Sequence, residues 1–218
     1  MDPRTALTHV DHTLLKPEAT REQIAVLCRE AKEYRCASVC VQPCFVAYAK
    51  ELLQGEIPVC TVIGFPLGAN TTETKAFEAK KAVADGADEI DMVINIGALK
   101  EGRFTEIESE IRAVKAAIGP HILKVIIETC LLTDEEKAAM CRVVADAGAD
   151  FIKTSTGFNT GGATAHDVAL LVRESKGRIR VKAAGGIKTY EDMEEFLSLG
   201  ADRLGSSSAV RLVRGRLG

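Results

Sequence analysis

Strand-like and helix-like segments alternate along this chain, and the alternation constrains its fold more than any other feature. Short apolar runs typical of buried strands are predicted at 10–14, 37–41, 57–63, 89–94, 122–127, 151–154, 179–183 and 203–204. Helices are predicted at 20–34, 45–53, 72–85, 104–117, 133–147, 164–174 and 190–199, with a final helix after them. Strands that alternate with helices pair in parallel, and eight such units favour a closed barrel. We therefore predict an α/β protein with the (β/α)8 TIM-barrel fold.

A short internal repeat supports this prediction. The phrases Asp-Gly-Ala-Asp, Asp-Ala-Gly-Ala-Asp and Leu-Gly-Ala-Asp occur at 85–88, 146–150 and 199–202. Each ends in Gly-Ala-Asp and closes a predicted helix before the next predicted strand. No linker or low-complexity segment interrupts the chain of 218 residues, 46% of which are hydrophobic. We therefore expect residues 1–218 to form a single barrel domain.

The composition argues against several classes of protein. The net charge of −3 and the lack of a long basic run make nucleic acid an unexpected partner. The apolar stretches are too short to span a bilayer, and no signal peptide is recognised, so a cytoplasmic location is expected. The seven cysteines include no C-x-x-C pair, and the four histidines show no ligand spacing, so we predict free thiols and no metal site.

Two lysines at the ends of neighbouring predicted strands suggest the chemistry. Lys153 and Lys182 each precede a glycine-containing turn. Two ammonium groups about 6 Å apart repel by roughly 3 kcal/mol at an effective dielectric near 20. Such repulsion lowers the pKa of one of them by about 2, which leaves a nucleophilic amine near neutral pH. An amine of this kind can form a Schiff base with a carbonyl substrate.

Acidic residues are predicted near the same end of the barrel, where active sites of this fold lie. They include Asp11 on the first strand, Asp91 on the fourth and Glu128 on the fifth. Strand alternation also places Lys124 on the same face as Glu128. Any one of these side chains is also compatible with a structural ion pair. Cys40 is interpreted as a small core residue because no histidine partner lies near it in the sequence.

Two glycine-rich turns indicate an anion site. Residues 183–187 follow the seventh strand, and residues 205–208 follow the eighth and open the last helix. Backbone N–H groups of glycine turns and the amino end of a helix both favour a phosphate group. Loops in these positions are the usual phosphate site of TIM barrels. Two ordinary turns with a serine cap remain the alternative.

Five segments together resemble the deoxyribose-phosphate aldolase family. They are residues 10–15, 89–93, 124–129, 151–157 and 181–187, with the sequences VDHTLL, EIDMV, KVIIET, FIKTSTG and VKAAGGI. The resemblance implies a (β/α)8 class I aldolase that needs no metal and no organic cofactor. It implies reversible cleavage of 2-deoxy-D-ribose 5-phosphate to acetaldehyde and D-glyceraldehyde 3-phosphate. The implied partners are small phosphosugars and aldehydes, and the implied assembly is a homodimer or a homotetramer.

The same resemblance assigns roles to single residues. Lys153 matches the Schiff-base lysine, Lys182 the lysine that perturbs its pKa, and Asp91 the carboxylate of the proton relay. The substrate- and phosphate-binding positions match Asp11, Thr156, Gly157, Gly185, Gly186, Gly205, Ser207 and Ser208. One departure is Phe158, where some members of the family carry a lysine, so phosphate binding is expected to depend more on backbone groups.

Two other readings remain open on the residues alone. A phosphosugar isomerase or lyase on the same barrel would use Asp91 or Glu128 as a base, without an imine. A sugar-phosphate binding protein would keep the glycine and serine turns but would not need two inward lysines.

Overall fold

The computed structural model describes residues 2–217, and within that range eight parallel strands close into a barrel. The strands are β1 Val10–Leu14, β2 Ser38–Val41, β3 Val59–Ile63, β4 Glu89–Val93, β5 Ile122–Ile126, β6 Phe151–Lys153, β7 Arg180–Ala184 and β8 Arg203–Ser206. They are ordered as in the sequence, and β8 pairs with β1. The predicted (β/α)8 TIM barrel is confirmed.

Helices surround the barrel and connect its strands. They are α1 Pro3–Leu7, α2 Arg21–Tyr34, α3 Val46–Leu53, α4 Thr72–Ala84, α5 Ile96–Lys100, α6 Phe104–Ile118, α7 Asp134–Asp146, α8 Ala165–Ser175, α9 Tyr190–Ser198 and α10 Ala209–Leu217. The short helices α1 and α5 were not predicted, because five residues are too few to show a helical period. Over residues 2–217, no helix combines the length and the apolar character needed to cross a bilayer.

The helices begin where side-chain caps satisfy their first N–H groups. Thr20 accepts a hydrogen bond from the backbone N–H of Gln23, whose side chain accepts one from the Thr20 N–H in return. Thr133 forms the same capping box with Glu136. Both boxes were predicted from the spacing of these residues, since a threonine three positions before Gln or Glu is the sequence signature of this cap.

The aspartate of each repeated Gly-Ala-Asp phrase forms hydrogen bonds with the start of the preceding strand. The carboxylate of Asp88 accepts a hydrogen bond from the backbone N–H of Val59, and the N–H of Asp88 donates one to the carbonyl of Val59. Asp150 pairs with Leu123 and Asp202 with Val181 in the same manner. The repeat therefore fixes the register of three even-numbered strands at the amino end of the barrel.

The apolar core lies between the outer face of the barrel and the surrounding helices. Its members include Ile90 and Val125 from the strands and Ile111, Val144 and Leu171 from the helices, all fully buried. The inner face of the barrel is different, because several of its side chains are charged. The alternation of the strands thus separates an apolar layer outside the sheet from a polar layer inside it.

Candidate active site

The interior of the barrel holds a connected group of charged side chains. They are Asp11 on β1, Glu89 and Asp91 on β4, Lys124 on β5, Lys153 on β6, Lys182 on β7 and Arg203 on β8. We call these seven residues the interior network. All of them except the partly exposed Arg203 are at most 3% exposed. Sequence alternation could place each side chain inward, but it could not show which carboxylate meets which cation.

Asp91 is the carboxylate that joins three lysines of the interior network. Its Oδ2 accepts hydrogen bonds from Lys153 Nζ at 2.8 Å and from Lys182 Nζ at 2.7 Å. Its Oδ1 accepts one from Lys124 Nζ at 2.9 Å. Lys153 and Lys182 are direct partners in the pairing of β6 with β7, which explains why both amines reach one oxygen.

Lys182 and Lys124 are held by more than one carboxylate each. Lys182 Nζ also donates to Asp11 Oδ2. Lys124 Nζ lies 2.5 Å from Glu89 Oε2 and 3.6 Å from Asp11 Oδ2. Arg203 closes the network by binding both Asp11 and Glu89. Lys153 differs from these cations, because within residues 2–217 its only carboxylate partner is Asp91.

Two carboxyl groups of the interior network, those of Asp11 and Asp91, have pKa values lowered by the cations around them. Burial alone would raise the pKa of Asp11, but the positive charges of Lys182, Lys124 and Arg203 outweigh it and lower that pKa below its ordinary value. Burial acts in the same direction on Asp91, where the surrounding lysines hold the pKa well below its ordinary value.

Two of the lysines are kept protonated by the same contacts. Burial alone would lower the pKa of Lys182, but the carboxylates of Asp11 and Asp91 outweigh it and raise that pKa above its ordinary value. The pKa of Lys124 is raised well above its ordinary value in the same way, with Asp91 as the largest favourable contribution. Lys182 is therefore a fixed cation beside Lys153.

The sequence expectation of direct repulsion between two lysines needs a correction. Both nitrogens are hydrogen-bonded to one oxygen, so they are at most about 5.5 Å apart. The carboxylate of Asp91 lies between them and offsets part of their repulsion. The relevant quantity is therefore the charge balance of the whole interior network and not the energy of one pair of ammonium ions.

A cavity of about 370 Å³ opens at the carboxyl ends of the strands, above the interior network. Its lining includes seven of the predicted site residues, namely Lys153, Thr156, Gly157, Gly185, Gly186, Gly205 and Ser207. Asp11, Asp91 and Lys182 do not line it and are fully buried. Of the interior network, only Lys153 reaches the cavity wall. A ligand in the cavity therefore meets the Lys153 amine first.

The loops after β6 and β7 touch each other through glycines on one side of the cavity. A Cβ added to Gly162 would lie 2.4 Å from the carbonyl carbon of Gly185, so no larger residue fits there. The N–H of Ala163 donates to the carbonyls of Ala184 and Gly185. Gly185 and Gly186 have φ values of 77° and 76°, a region of backbone conformation that glycine adopts without strain.

The serine turn after β8 differs in one respect from the predicted contacts. Ser206 and Ser207 line the cavity, whereas Ser208 is absent from its described lining. The hydroxyl of Ser208 donates to the carbonyl of Ile187, and its N–H donates to Ser206 Oγ. The hydroxyl of Ser208 is thus used to close the turn, and Ser206 is a cavity residue that was not predicted.

Glu128 lies in a strained position and binds the loop that carries Thr156. Its backbone is left-handed, with φ 56°, although it is not a glycine. Its carboxylate accepts hydrogen bonds from the Thr156 N–H at 3.1 Å and from Thr156 Oγ1 at 2.5 Å. The side chain is 1% exposed. Glu128 therefore fixes the cavity wall next to Lys153.

Two buried thiols lie beside Asp91, next to an apolar cluster. Cys40 and Cys60 face each other across β2 and β3, and both pack with Leu15 and Val62. The thiols and the Asp91 carboxylate are close enough together to hold a metal ion. However, Lys124 Nζ already lies 3.3 Å from Cys60 Sγ and neutralises Asp91, which disfavours a second cation there. Burial also raises the pKa of Cys60 well above its ordinary value.

Comparisons with known proteins agree with this geometry. The family model described as DeoC/LacD family aldolase matches residues 5–209. The deoxyribose-phosphate aldolase of Streptococcus gordonii is 58% identical over 208 residues, which cover 95% of this chain and 94% of that protein. Deoxyribose-phosphate aldolase 2 of Bacillus licheniformis is 60% identical over 211 residues, covering 96% of this chain and 95% of that protein.

The fold is also shared with solved structures. The tetrameric deoxyribose phosphate aldolase of Aeropyrum pernix superimposes with a TM-score of 0.89 at 32% identity. The match covers 99% of this chain and 92% of that one.

Proposed function

The chain belongs to the DeoC/LacD family of aldolases and is a carbon–carbon lyase of the deoxyribose-phosphate aldolase type, and from that premise we propose that it acts through an imine on Lys153. The substrate is 2-deoxy-D-ribose 5-phosphate, and the products are acetaldehyde and D-glyceraldehyde 3-phosphate. The observation that carries the proposal is the position of Lys153, which lines the cavity and is bound to the buried Asp91.

The charge balance of the interior network favours Lys153 as the free amine. The network contains four basic groups and three carboxylates, so full ionisation leaves one excess positive charge in a buried space. Loss of one proton makes the network neutral, which burial favours. Lys153 is the lysine that loses this proton with the smallest free-energy cost. Lys124 and Lys182 each contact at least two carboxylates, whereas Asp91 is the only carboxylate that Lys153 contacts among the described residues.

The first half of the reaction forms the imine. The Lys153 amine attacks C1 of the open-chain sugar to give a carbinolamine. Asp91, which is hydrogen-bonded to Lys153 Nζ, moves protons through an ordered water as the C1 hydroxyl leaves. Lys182 remains an ammonium ion throughout and stabilises the Asp91 carboxylate. Because the charged form of Asp91 is favoured, a proton that Asp91 accepts is soon released again.

The second half breaks the carbon–carbon bond. The Asp91 relay takes the proton of the C3 hydroxyl through a bound water, the C2–C3 electron pair moves to the iminium, and D-glyceraldehyde 3-phosphate leaves; the same relay returns the proton in the next step. The enamine that remains on Lys153 takes a proton at C2, and water hydrolyses the resulting imine to acetaldehyde. Atoms and charges balance without a redox partner.

Two turns in the cavity wall are suited to the phosphate. Gly185 and Gly186 expose backbone groups in the turn after β7, and the turn with Ser206 and Ser207 precedes α10. The amino end of a helix and the N–H groups of such turns favour an anion. This arrangement supports a substrate that spans the cavity from Lys153 to the two turns.

The assembly and the location are further parts of the proposal. The A. pernix relative forms a tetramer, which supports a homotetramer or a homodimer for this chain. A cytoplasmic location is consistent with a small phosphosugar as substrate. Nucleic acid and membrane are not proposed as partners.

A direct assay tests the proposed reaction. The purified chain is incubated with 2-deoxy-D-ribose 5-phosphate, with and without a chelator, and both acetaldehyde and glyceraldehyde 3-phosphate are quantified. We expect equimolar products and no effect of the chelator. A phosphosugar product without acetaldehyde would indicate an isomerase, and binding without turnover would indicate a binding protein.

A further inference from the structure

The cavity lacks acidic side chains in its described lining and contains two lysines. Lys153 and Lys16 are the charged residues that line it. The other lining residues are apolar, glycine, serine or threonine. Since Lys153 is the proposed free amine, it cannot also act as a permanent counter-charge for a phosphate dianion. Lys16 is the cavity residue that remains available for this purpose.

The loop after β6 provides no cation to the cavity. Phe158 follows Gly157 in this loop and lines the cavity. Its ring packs edge-on against Phe65, with 5.1 Å between the ring centroids. This wall is therefore apolar, and an anionic group of the substrate has to be neutralised from another direction.

The closure of the barrel brings Lys16 toward the serine turn. Lys16 follows β1 by two positions, and β1 pairs with β8 through Asp11 opposite Gly205 and His12 opposite Ser206. The segment after β1 and the turn after β8 therefore leave the barrel side by side. Lys16 and Ser207 both line the cavity at this junction.

The backbone of Lys16 is held in place, while its ammonium group is not engaged. The carbonyl of Lys16 accepts hydrogen bonds from Gln42 Nε2 at 3.0 Å and from the N–H of Ala19 at 3.1 Å. Over residues 2–217, no carboxylate lies within ion-pair distance of Lys16 Nζ. An exposed lysine with a fixed backbone and an unused charge is suited to capture an anion at the cavity rim.

We propose that Lys16 is a specificity-determining residue that binds the phosphate group of the substrate and makes the chain prefer a phosphorylated sugar. This inference rests on the proposed function, because it assigns the phosphate of that substrate to a particular side chain. Lys16 takes no part in imine formation. Its effect is therefore on substrate binding and not on the chemical step.

The test compares three variants on two substrates. Lys16→Met removes the charge and keeps much of the side-chain length, Lys16→Arg keeps the charge, and Lys80→Met changes an exposed lysine on α4 as a control. Steady-state kinetics are measured with 2-deoxy-D-ribose 5-phosphate and with unphosphorylated 2-deoxy-D-ribose. Inorganic phosphate serves as a competitive inhibitor in the same assays.

The expected result is selective. Lys16→Met should raise KM for the phosphorylated sugar and the inhibition constant of inorganic phosphate by about fivefold, the size of a solvent-exposed ion pair. Its kcat and its kinetics on 2-deoxy-D-ribose should stay close to those of the parent. Lys16→Arg and Lys80→Met should also behave like the parent.

Other results would overturn the inference. An equal loss on both substrates, no change in KM, or a Lys16→Arg variant as impaired as Lys16→Met would each show that the charge of Lys16 does not bind phosphate. These outcomes are distinct from failure of the proposed function. In that case the parent chain itself would not cleave the phosphorylated sugar.

Discussion

Asp91 shows how a single carboxylate can give neighbouring lysines different roles. It contacts Lys124, Lys153 and Lys182 at 2.7–2.9 Å, yet these lysines differ in how many other carboxylates they meet and in their access to the cavity. The sequence predicted that two lysines would lie together, but it could not identify the nucleophile. That distinction depends on Asp11 and Glu89, which come from distant parts of the chain.

Removal of the charge of Lys182 tests the balance within the interior network. In Lys182→Met, three cations face three carboxylates, so the network is neutral while Lys153 is still protonated. We expect kcat at neutral pH to fall by about 10²-fold and the acid limb of the pH–rate profile to move to higher pH. Lys124→Met also removes one positive charge from the interior network and should move the acid limb of the pH–rate profile in the same direction. A pH–rate profile of unchanged shape would contradict the charge-balance argument.

Glu128 offers a second test at the level of a single residue. Its carboxylate positions Thr156, so Glu128→Gln, which keeps a hydrogen-bond acceptor, should retain activity within about tenfold. Glu128→Ala leaves the buried Thr156 N–H without this acceptor and should lower the free energy of unfolding by about 1–3 kcal/mol. Kinetics and urea denaturation measure the two effects. A loss of activity beyond about 10³-fold in Glu128→Gln would instead indicate a catalytic base.

The elements were largely predictable, and the exceptions have physical causes. Each strand was predicted from an apolar run, and the capping boxes at Thr20 and Thr133 were predicted from their spacing. The helices α1 and α5 were missed because their short segments carry no periodic signal. Ser206 was missed as a cavity residue, because three successive serines give no indication of which hydroxyl closes the turn.

The Asp of the repeated Gly-Ala-Asp phrase should contribute to stability and not to catalysis. Asp150 accepts the N–H of Leu123 and pairs with Lys115 at the end of the barrel opposite the cavity. Asp150→Ala should lower the free energy of unfolding by about 1–2 kcal/mol and leave kcat unchanged. Asp146→Ala is a matched control, since this exposed residue forms a surface ion pair with Arg178 and should cost under about 0.5 kcal/mol. Equal effects of the two variants would contradict a structural role for the repeat.

At the scale of the whole molecule, charges inside the barrel link stability to pH. The folded-state pKa values of Asp11 and Asp91 are lowered, so their stabilisation is present above the unfolded pKa near 3.9 and is lost as the pH falls through the folded values. The folded-state pKa values of Lys124 and Lys182 are raised. The stabilisation that these two lysines contribute is therefore present below the unfolded pKa near 10.4 and is lost as the pH rises through the folded values.

Urea denaturation across the pH range measures this linkage. We expect the midpoint to fall below about pH 4 and above about pH 10. The cause is that the unfolded chain binds more protons than the folded chain in acid and fewer in alkali. A midpoint that stays constant down to about pH 3 would contradict the assignment of buried, ionised carboxylates.

The most direct measurement of the central claim is chemical trapping of the imine. The chain is incubated with 2-deoxy-D-ribose 5-phosphate and borohydride, digested, and analysed by mass spectrometry to locate the reduced adduct. The account predicts a stable adduct on Lys153, formed only in the presence of substrate. An adduct on Lys182, or no adduct during active turnover, would contradict it.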